Sequence, residues 1–146
     1  AQTYIDRYFH RYPGVARFMQ NIRIHAAEQG YVETVFGRRL YVPEIKSRNA
    51  ARRQAAERTA INAPMQGTAA DIIKRAMIDV DGWLREKDHL DALMVMQVHD
   101  ELVFEVREDQ QEALISGVRA RMDAAGELNV ALQVDARAGR NWEEAH

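Results

Sequence analysis

From residue 67 to the C-terminal end, the apolar pattern changes period in the order helix, strand, strand, helix, strand. Ile72, Ile73, Ala76, Met77, Val80, Trp83 and Leu84 recur at the helical period. Ala92 to Val98 is apolar almost throughout, and Leu102, Phe104 and Val106 alternate with Val103 and Glu105. That pair predicts a β-hairpin with a buried first strand. Leu114, Val118, Met122 and Ala125 predict a further helix, and the alternation of Val130, Leu132 and Val134 predicts a last strand. The order defines an α+β class, an incomplete split βαβ (ferredoxin-like) antiparallel sheet with long helices and its first strand missing. Such a sheet has an open edge, so that strand is expected from a preceding part of a longer parent. A start at Ala1 without an initiator methionine agrees with an N-terminus cut from something longer.

The preceding residues predict a helical segment and a small hairpin. Tyr4, Ile5, Tyr8 and Tyr12 keep helical spacing up to Pro13, and Val15, Phe18, Met19, Ile22 and Ala26 form a second stripe that Gly30 ends as a left-handed cap would. Tyr31 to Val35 and Leu40 to Val42 flank Phe36-Gly37-Arg38-Arg39, a hairpin with arginines at its tip, and Pro43 closes this unit. Residues 47–63 are alanine-rich and helix-forming. Pro64 is expected to stop or kink that helix, since proline lacks an amide donor, and Thr68 to cap a new one three residues before Asp71. A charged loop is expected at residues 87–91.

Composition narrows the functional classes. A chain of 146 residues, 47% of them hydrophobic, suffices for one real core, not two independent ones. With no cysteine, disulfide frameworks and thiolate metal sites are excluded, and a reducing cytosol, hence a cytoplasmic location, fits best. No apolar run approaches the roughly 20 residues that span a bilayer, and no charged-then-apolar leader opens the chain, so no membrane partner is expected. Residues 1–60 hold 11 Lys and Arg against 5 Asp and Glu, a surplus of 6 positive charges; residues 61–146 hold 9 against 17, a surplus of 8 negative ones. A basic half attracts phosphates, whereas an acidic half contacts nucleic acid broadly only where its carboxylates hold cations.

The segment Gln97-Val98-His99-Asp100-Glu101-Leu102-Val103 puts two carboxylates and a histidine where the hairpin reverses. Turns usually select Gly, Asn or Pro for backbone reasons, although Asp is a fair turn residue and an exposed acidic turn is the plain alternative. Adjacent strand residues face opposite ways, so Asp100 and Glu101 are a poor pair for one ion. A two-metal phosphoryl-transfer site would then need a carboxylate from another strand, and oxygen ligands with phosphates favour magnesium. Arg58, Asn62 and Gln66 are spaced four apart across Pro64. Such side chains can contact the acceptors that every base pair shows in the minor groove; a solvated helix face is the alternative. Arg38, Arg39, Lys46, Arg48, Arg52 and Arg53 offer a basic surface for phosphates. His10, His25, His89 and His146 show no metal-ligand spacing, and Trp83 and Trp142 read as packing residues.

These segments together resemble family A DNA polymerases. Gln97 to Glu101 is similar to the family's C motif, and Ala60-Ile61-Asn62-Ala63-Pro64-Met65-Gln66-Gly67-Thr68-Ala69-Ala70-Asp71 to the helix preceding it. Tyr8-Phe9, Tyr12-Pro13-Gly14, Tyr31 to Thr34 and Gly37-Arg38-Arg39 also match, and the ending Asn141-Trp142 to Ala145-His146 resembles the family's natural C-terminus. The resemblance implies residues 1–45 as the end of the fingers and 46–146 as the C-terminal part of the palm. It implies Asp100 as a ligand of two Mg2+ ions in the complete site, Glu101 in a lesser catalytic role, and Arg58, Asn62, Gln66 and His99 as contacts to primer–template DNA. The implied reaction joins a deoxynucleoside triphosphate to a primer 3′-hydroxyl, in a monomeric parent serving DNA replication and repair. The motif with the other catalytic aspartate and the nucleotide-gripping fingers helix are absent, so these 146 residues alone are expected to be inactive. Two alternatives remain: a non-catalytic nucleic-acid-binding module on a ferredoxin-like sheet, and a structural domain whose acidic half binds a protein.

Overall fold

The computed structural model describes residues 2–86 and 90–145. Residues 87–89, with His89 and most of the expected charged loop, lie outside the described residues, as do Ala1 and His146. The chain divides into two compact units, Ala1–Thr68 and Ala69–His146, and the longest helix passes through the boundary.

In the first unit, α1 (Gln2–Arg11) and α2 (Pro13–Gln29) are separated at Tyr12, and Pro13 opens α2, where its missing N–H is not needed. Gly30 ends α2 at φ 79°, its N–H reaching the carbonyl of Ala26 at 2.8 Å, as the sequence predicts. The hairpin follows as β1 (Tyr31–Glu33) and β2 (Arg39–Tyr41), with Val32 opposite Leu40. Pro43 opens a 3₁₀ turn, Pro43–Lys46. Ala26, Val32, Val42, Ile45, Ala56 and Ala60 form the buried core, with Ile22, Ala27 and Ala63 packed on it. Val32 is 1% exposed, a burial worth roughly 1.5–3 kcal/mol.

The helix expected to stop or kink at Pro64 does not stop there. α3 runs without interruption over Ala50–Glu86, with Pro64 in its interior. Asn49 caps its start, Oδ1 accepting from the N–H of Ala51 and Arg52. Thr68 therefore caps no new helix. Its hydroxyl donates to the carbonyl of Pro64 at 2.6 Å, one turn back, and accepts the N–H of Val35 from the hairpin at 3.1 Å.

The second unit holds the remainder of α3, then β3 (Ala92–Val98), β4 (Glu101–Val106), a 3₁₀ turn at Glu108–Gln110, α4 (Gln111–Asp123) and α5 (Trp142–Ala145). Its core joins Val80, Leu90, Leu114 and Val118 with Trp83, Leu84, Ala92, Phe104, Val106 and Met122. The helical stripes of α3 and α4 are thus as predicted. Two strand expectations fail. β3 is not a buried strand: Leu93 is 62% exposed, and Val95 and Met96 stand open too, because helices cover one face of this two-stranded sheet and no described residue covers the other. Val130, Leu132 and Val134 form no strand, since alternation sets which way side chains point while a strand also needs ladder hydrogen bonds to a neighbour, and this segment pairs with neither β3 nor β4. The α+β class stands, with the sheet one strand shorter than its sequence pattern.

Trp83 meets α4 at Gly117. A Cβ there would lie 2.2 Å from the indole, so only glycine admits the ring. Arg121 lies over the same ring at 4.4 Å and faces Asp79 at 3.8 Å. Replacing Gly117 with alanine is expected to destabilise the protein by roughly 1–3 kcal/mol, despite the ~1 kcal/mol by which alanine favours a helix. A lowered denaturant midpoint checks this, and an unchanged or higher midpoint contradicts the close contact.

Candidate functional site

The hairpin register places the acidic turn. Ala92, Leu93 and Met94 pair with Val106, Glu105 and Phe104; after a bulge at Val95, Met96, Gln97 and Val98 pair with Val103, Leu102 and Glu101. One extra residue on β3 shifts the pairing by one step. The reversal is therefore a two-residue turn made of His99 and Asp100, closed by the Val98–Glu101 pair. Without the bulge the loop would contain an odd number of residues and Asp100 would occupy another position in it.

Asp100 thus sits in the turn and not in a strand, so strand alternation does not govern where its carboxylate points. Glu101 is the first residue of β4. His99, Asp100 and Glu101 are all exposed. His99 has φ 51°, the only positive φ among described non-glycine residues. A positive φ at the first turn position is what a type II′ hairpin requires, and glycine is its usual occupant. The conformation costs a side-chain-bearing residue about 1–2 kcal/mol, and such strain concentrates at functional sites. The Gln97 side-chain amide donates to the His99 carbonyl and braces the turn.

Carboxylate oxygens are hard donors suited to a divalent cation bound with phosphates. Among the described residues, however, no three His, Cys, Asp or Glu side chains converge. Asp100 and Glu101 fit one side of a metal site and do not complete one.

The other polar group lies on α3 in the first unit. Arg58, Asn62 and Gln66 are exposed, and the buried Ala56 and Ala60 lie on the far side of the helix from Arg58 and Asn62. Because α3 continues through Pro64, the three rise by about 6 Å per step and drift about 40° around the axis. They present a near-linear row of donors, as their spacing predicts. The expected basic surface is less uniform. Arg39 donates to Glu33 at 2.8 Å and covers the Tyr31 ring at 4.5 Å; the Glu33 bond raises its pKa above the ordinary arginine value. Arg38 donates to the carbonyl of Gly67 and Arg53 to that of Ser47. Lys46, Arg48 and Arg52 are exposed.

The close packing of Gly67 against Thr34 is not among the sequence expectations. A Cβ on Gly67 would lie 2.7 Å from the Thr34 methyl, and Thr34 is buried. The available signal was a glycine inside an otherwise strong helix-forming segment. The surface cleft between α3 and α4, lined by residues such as Arg75, Trp83 and Arg121, includes none of the turn residues.

The chain belongs to DNA polymerase family A, whose family model matches residues 1–144. It is 64% identical over 146 residues to DNA polymerase I of Pseudomonas aeruginosa and 48% identical over 145 residues to that of Geobacillus stearothermophilus. These alignments cover 100% and 99% of the chain but 16% of each relative, so the chain spans about a sixth of their length. The POL domain of Pol1 from M. smegmatis, solved in complex with DNA primer-template and dNTP, matches 99% of the chain and 25% of that structure, with a TM-score of 0.95 and 45% identity.

The strained turn yields a direct expectation. In the parent enzyme, His99→Val should lower stability by about 1–2 kcal/mol, because a β-branched residue tolerates positive φ poorly, whereas His99→Gly should match or exceed the unmodified stability. Equal denaturant midpoints for the two variants would show that the turn is unstrained.

Proposed function

We propose that this chain is the part of a DNA-directed DNA polymerase that carries one metal-binding carboxylate and a minor-groove contact surface. The observation that carries the reading is its likeness, over 99% of its length, to a polymerase domain in complex with primer-template and dNTP. In this reading residues 1–45 are the end of the fingers subdomain and residues 46–146 the C-terminal part of the palm. The partners are primer–template DNA and deoxynucleoside triphosphates, and the parent works as a monomer in the cytoplasm. Among the described residues no helix is long and apolar enough to cross a membrane.

Each residue has a role that follows from its chemistry. Asp100 offers an exposed carboxylate on a braced turn, and would hold Mg2+ together with a carboxylate from outside these 146 residues; Glu101, beside it at the start of β4, lends further negative charge. When bound, two such ions would assist deprotonation of the primer 3′-hydroxyl and neutralise the leaving pyrophosphate. Arg58, Asn62 and Gln66 donate to purine N3 and pyrimidine O2, acceptors present at every base pair, so they test pair shape without reading sequence. His99 contacts the primer–template near the growing end. Transfer forms a bond between the 3′-oxygen and the α-phosphorus and breaks the α–β phosphoanhydride bond.

The binding-module alternative needs aromatic side chains on the open face of the sheet to stack bases. Phe104 is the one aromatic in the hairpin, and it packs into the core with Val80 and Leu114.

Asp100→Ala in the parent enzyme, with saturating DNA and magnesium, is expected to lower kcat on the order of a thousandfold, the loss of several kcal/mol of transition-state stabilisation. Primer–template affinity should change little. Near-normal extension would exclude Asp100 from catalysis and favour the binding module. The purified 146-residue chain is expected to incorporate no nucleotide above a no-protein control, and any sustained incorporation would show that the site is complete within it.

A further inference from the structure

Pro64 has no N–H to return to the carbonyl of Ala60, and its ring crowds that carbonyl, so the turn from Ala60 to Pro64 lacks a rung and the residues that follow it are less firmly tied to those before. Just beyond it the helix is held from outside itself. Arg38 donates to the carbonyl of Gly67 at 3.0 Å, and the N–H of Val35 donates to the hydroxyl of Thr68 at 3.1 Å. That hydroxyl in turn donates to Pro64 O at 2.6 Å, bridging the proline turn to the hairpin. The loop supplying these contacts is itself closed: Thr34 N–H donates to Arg38 O at 2.9 Å, and Thr34 Oγ1 accepts from Arg38 N–H at 3.1 Å. Gly67 leaves space for the Thr34 methyl, and Thr68 is 9% exposed.

We infer that the hairpin tip, residues 34–38, is a brace for the groove-contacting row, with Thr68 and Arg38 acting as positioning residues that keep Gln66 in line with Asn62 and Arg58. The inference rests on the reading that this row contacts the minor groove. Gln66 stands between Pro64 and the two pinned residues, so it is the member of the row whose place depends on the pin. Arg58 and Asn62 precede the proline and are held by the buried Ala56 and Ala60 on the far side of the helix. A base pair of wrong shape is rejected only where the donor is fixed; a donor free to shift accommodates it.

The test uses the intact parent enzyme and the ratio of matched to mismatched primer extension. Thr68→Val keeps the side-chain shape and removes both hydroxyl bonds, and Arg38→Met removes the bond to Gly67. Each is expected to lower that ratio roughly three- to tenfold, the equivalent of one or two hydrogen bonds, with matched-primer kcat changed far less. Thr68→Ser, which retains the hydroxyl, restores the ratio. In a Gln66→Ala background Thr68→Val should add little, because both act through one side chain. A Thr68→Val enzyme that loses thermal stability but keeps its discrimination, or a loss that adds in full to that of Gln66→Ala, overturns the inference and leaves a purely structural pin. If Gln66→Ala alone changes neither DNA affinity nor discrimination, the minor-groove reading itself fails, and the brace falls with it.

Discussion

A proline in the interior of a 37-residue helix has to be supported by something other than the helix. Pro64 removes one rung of the α3 ladder, and in an isolated peptide that costs about 3 kcal/mol. Here the loss is offset by contacts from a segment some 30 residues earlier: the hairpin loop reaches Gly67 and Thr68 through Arg38 and the Val35 amide. Much of the molecule depends on this arrangement. α3 supplies Ala56 and Ala60 to one core and Val80 to the other, and it carries the row of Arg58, Asn62 and Gln66. Had the helix ended at residue 63, Gln66 would have left the row.

The second unit is governed by a shortage of hydrogen-bonding partners. Among the described residues β3 and β4 pair only with each other, and α3 and α4 cover one side of them. Leu93, Val95 and Met96 consequently remain open, and Val130 to Val134 joins neither strand of the sheet. An apolar sheet face and an unpaired edge are what a partial domain shows when strands that complete its sheet belong to other parts of a longer chain. The match to about a sixth of the length of each relative agrees with that account.

The turn at His99 and Asp100 joins two local features. A bulge at Val95 shifts the register so that these two residues form the whole reversal, and the positive φ falls on a histidine where glycine would relieve it. Both departures from ideal hairpin geometry act on the segment that presents the carboxylate. The strands beneath pack Phe104 and Val106 on the core, which supplies a base for the strained tip.

The residue pattern alone determined α1, α2 and α4, the apolar stripe of α3, both hairpins, the Gly30 cap and the acidic turn, because each depends on the period of side chains or the φ of one residue. The motifs around Asn62 and Asp100 also identified the family without coordinates. Whether α3 survives Pro64 was decided only in three dimensions, since the bonds that offset the missing amide come from Arg38 and Val35, distant in the chain. The same holds for the failed last strand and the exposed β3: side-chain alternation is local, whereas burial and ladder hydrogen bonds require a second element. The register shift at Val95 belongs there too, because a run of apolar residues does not show which of them lacks a partner across the sheet.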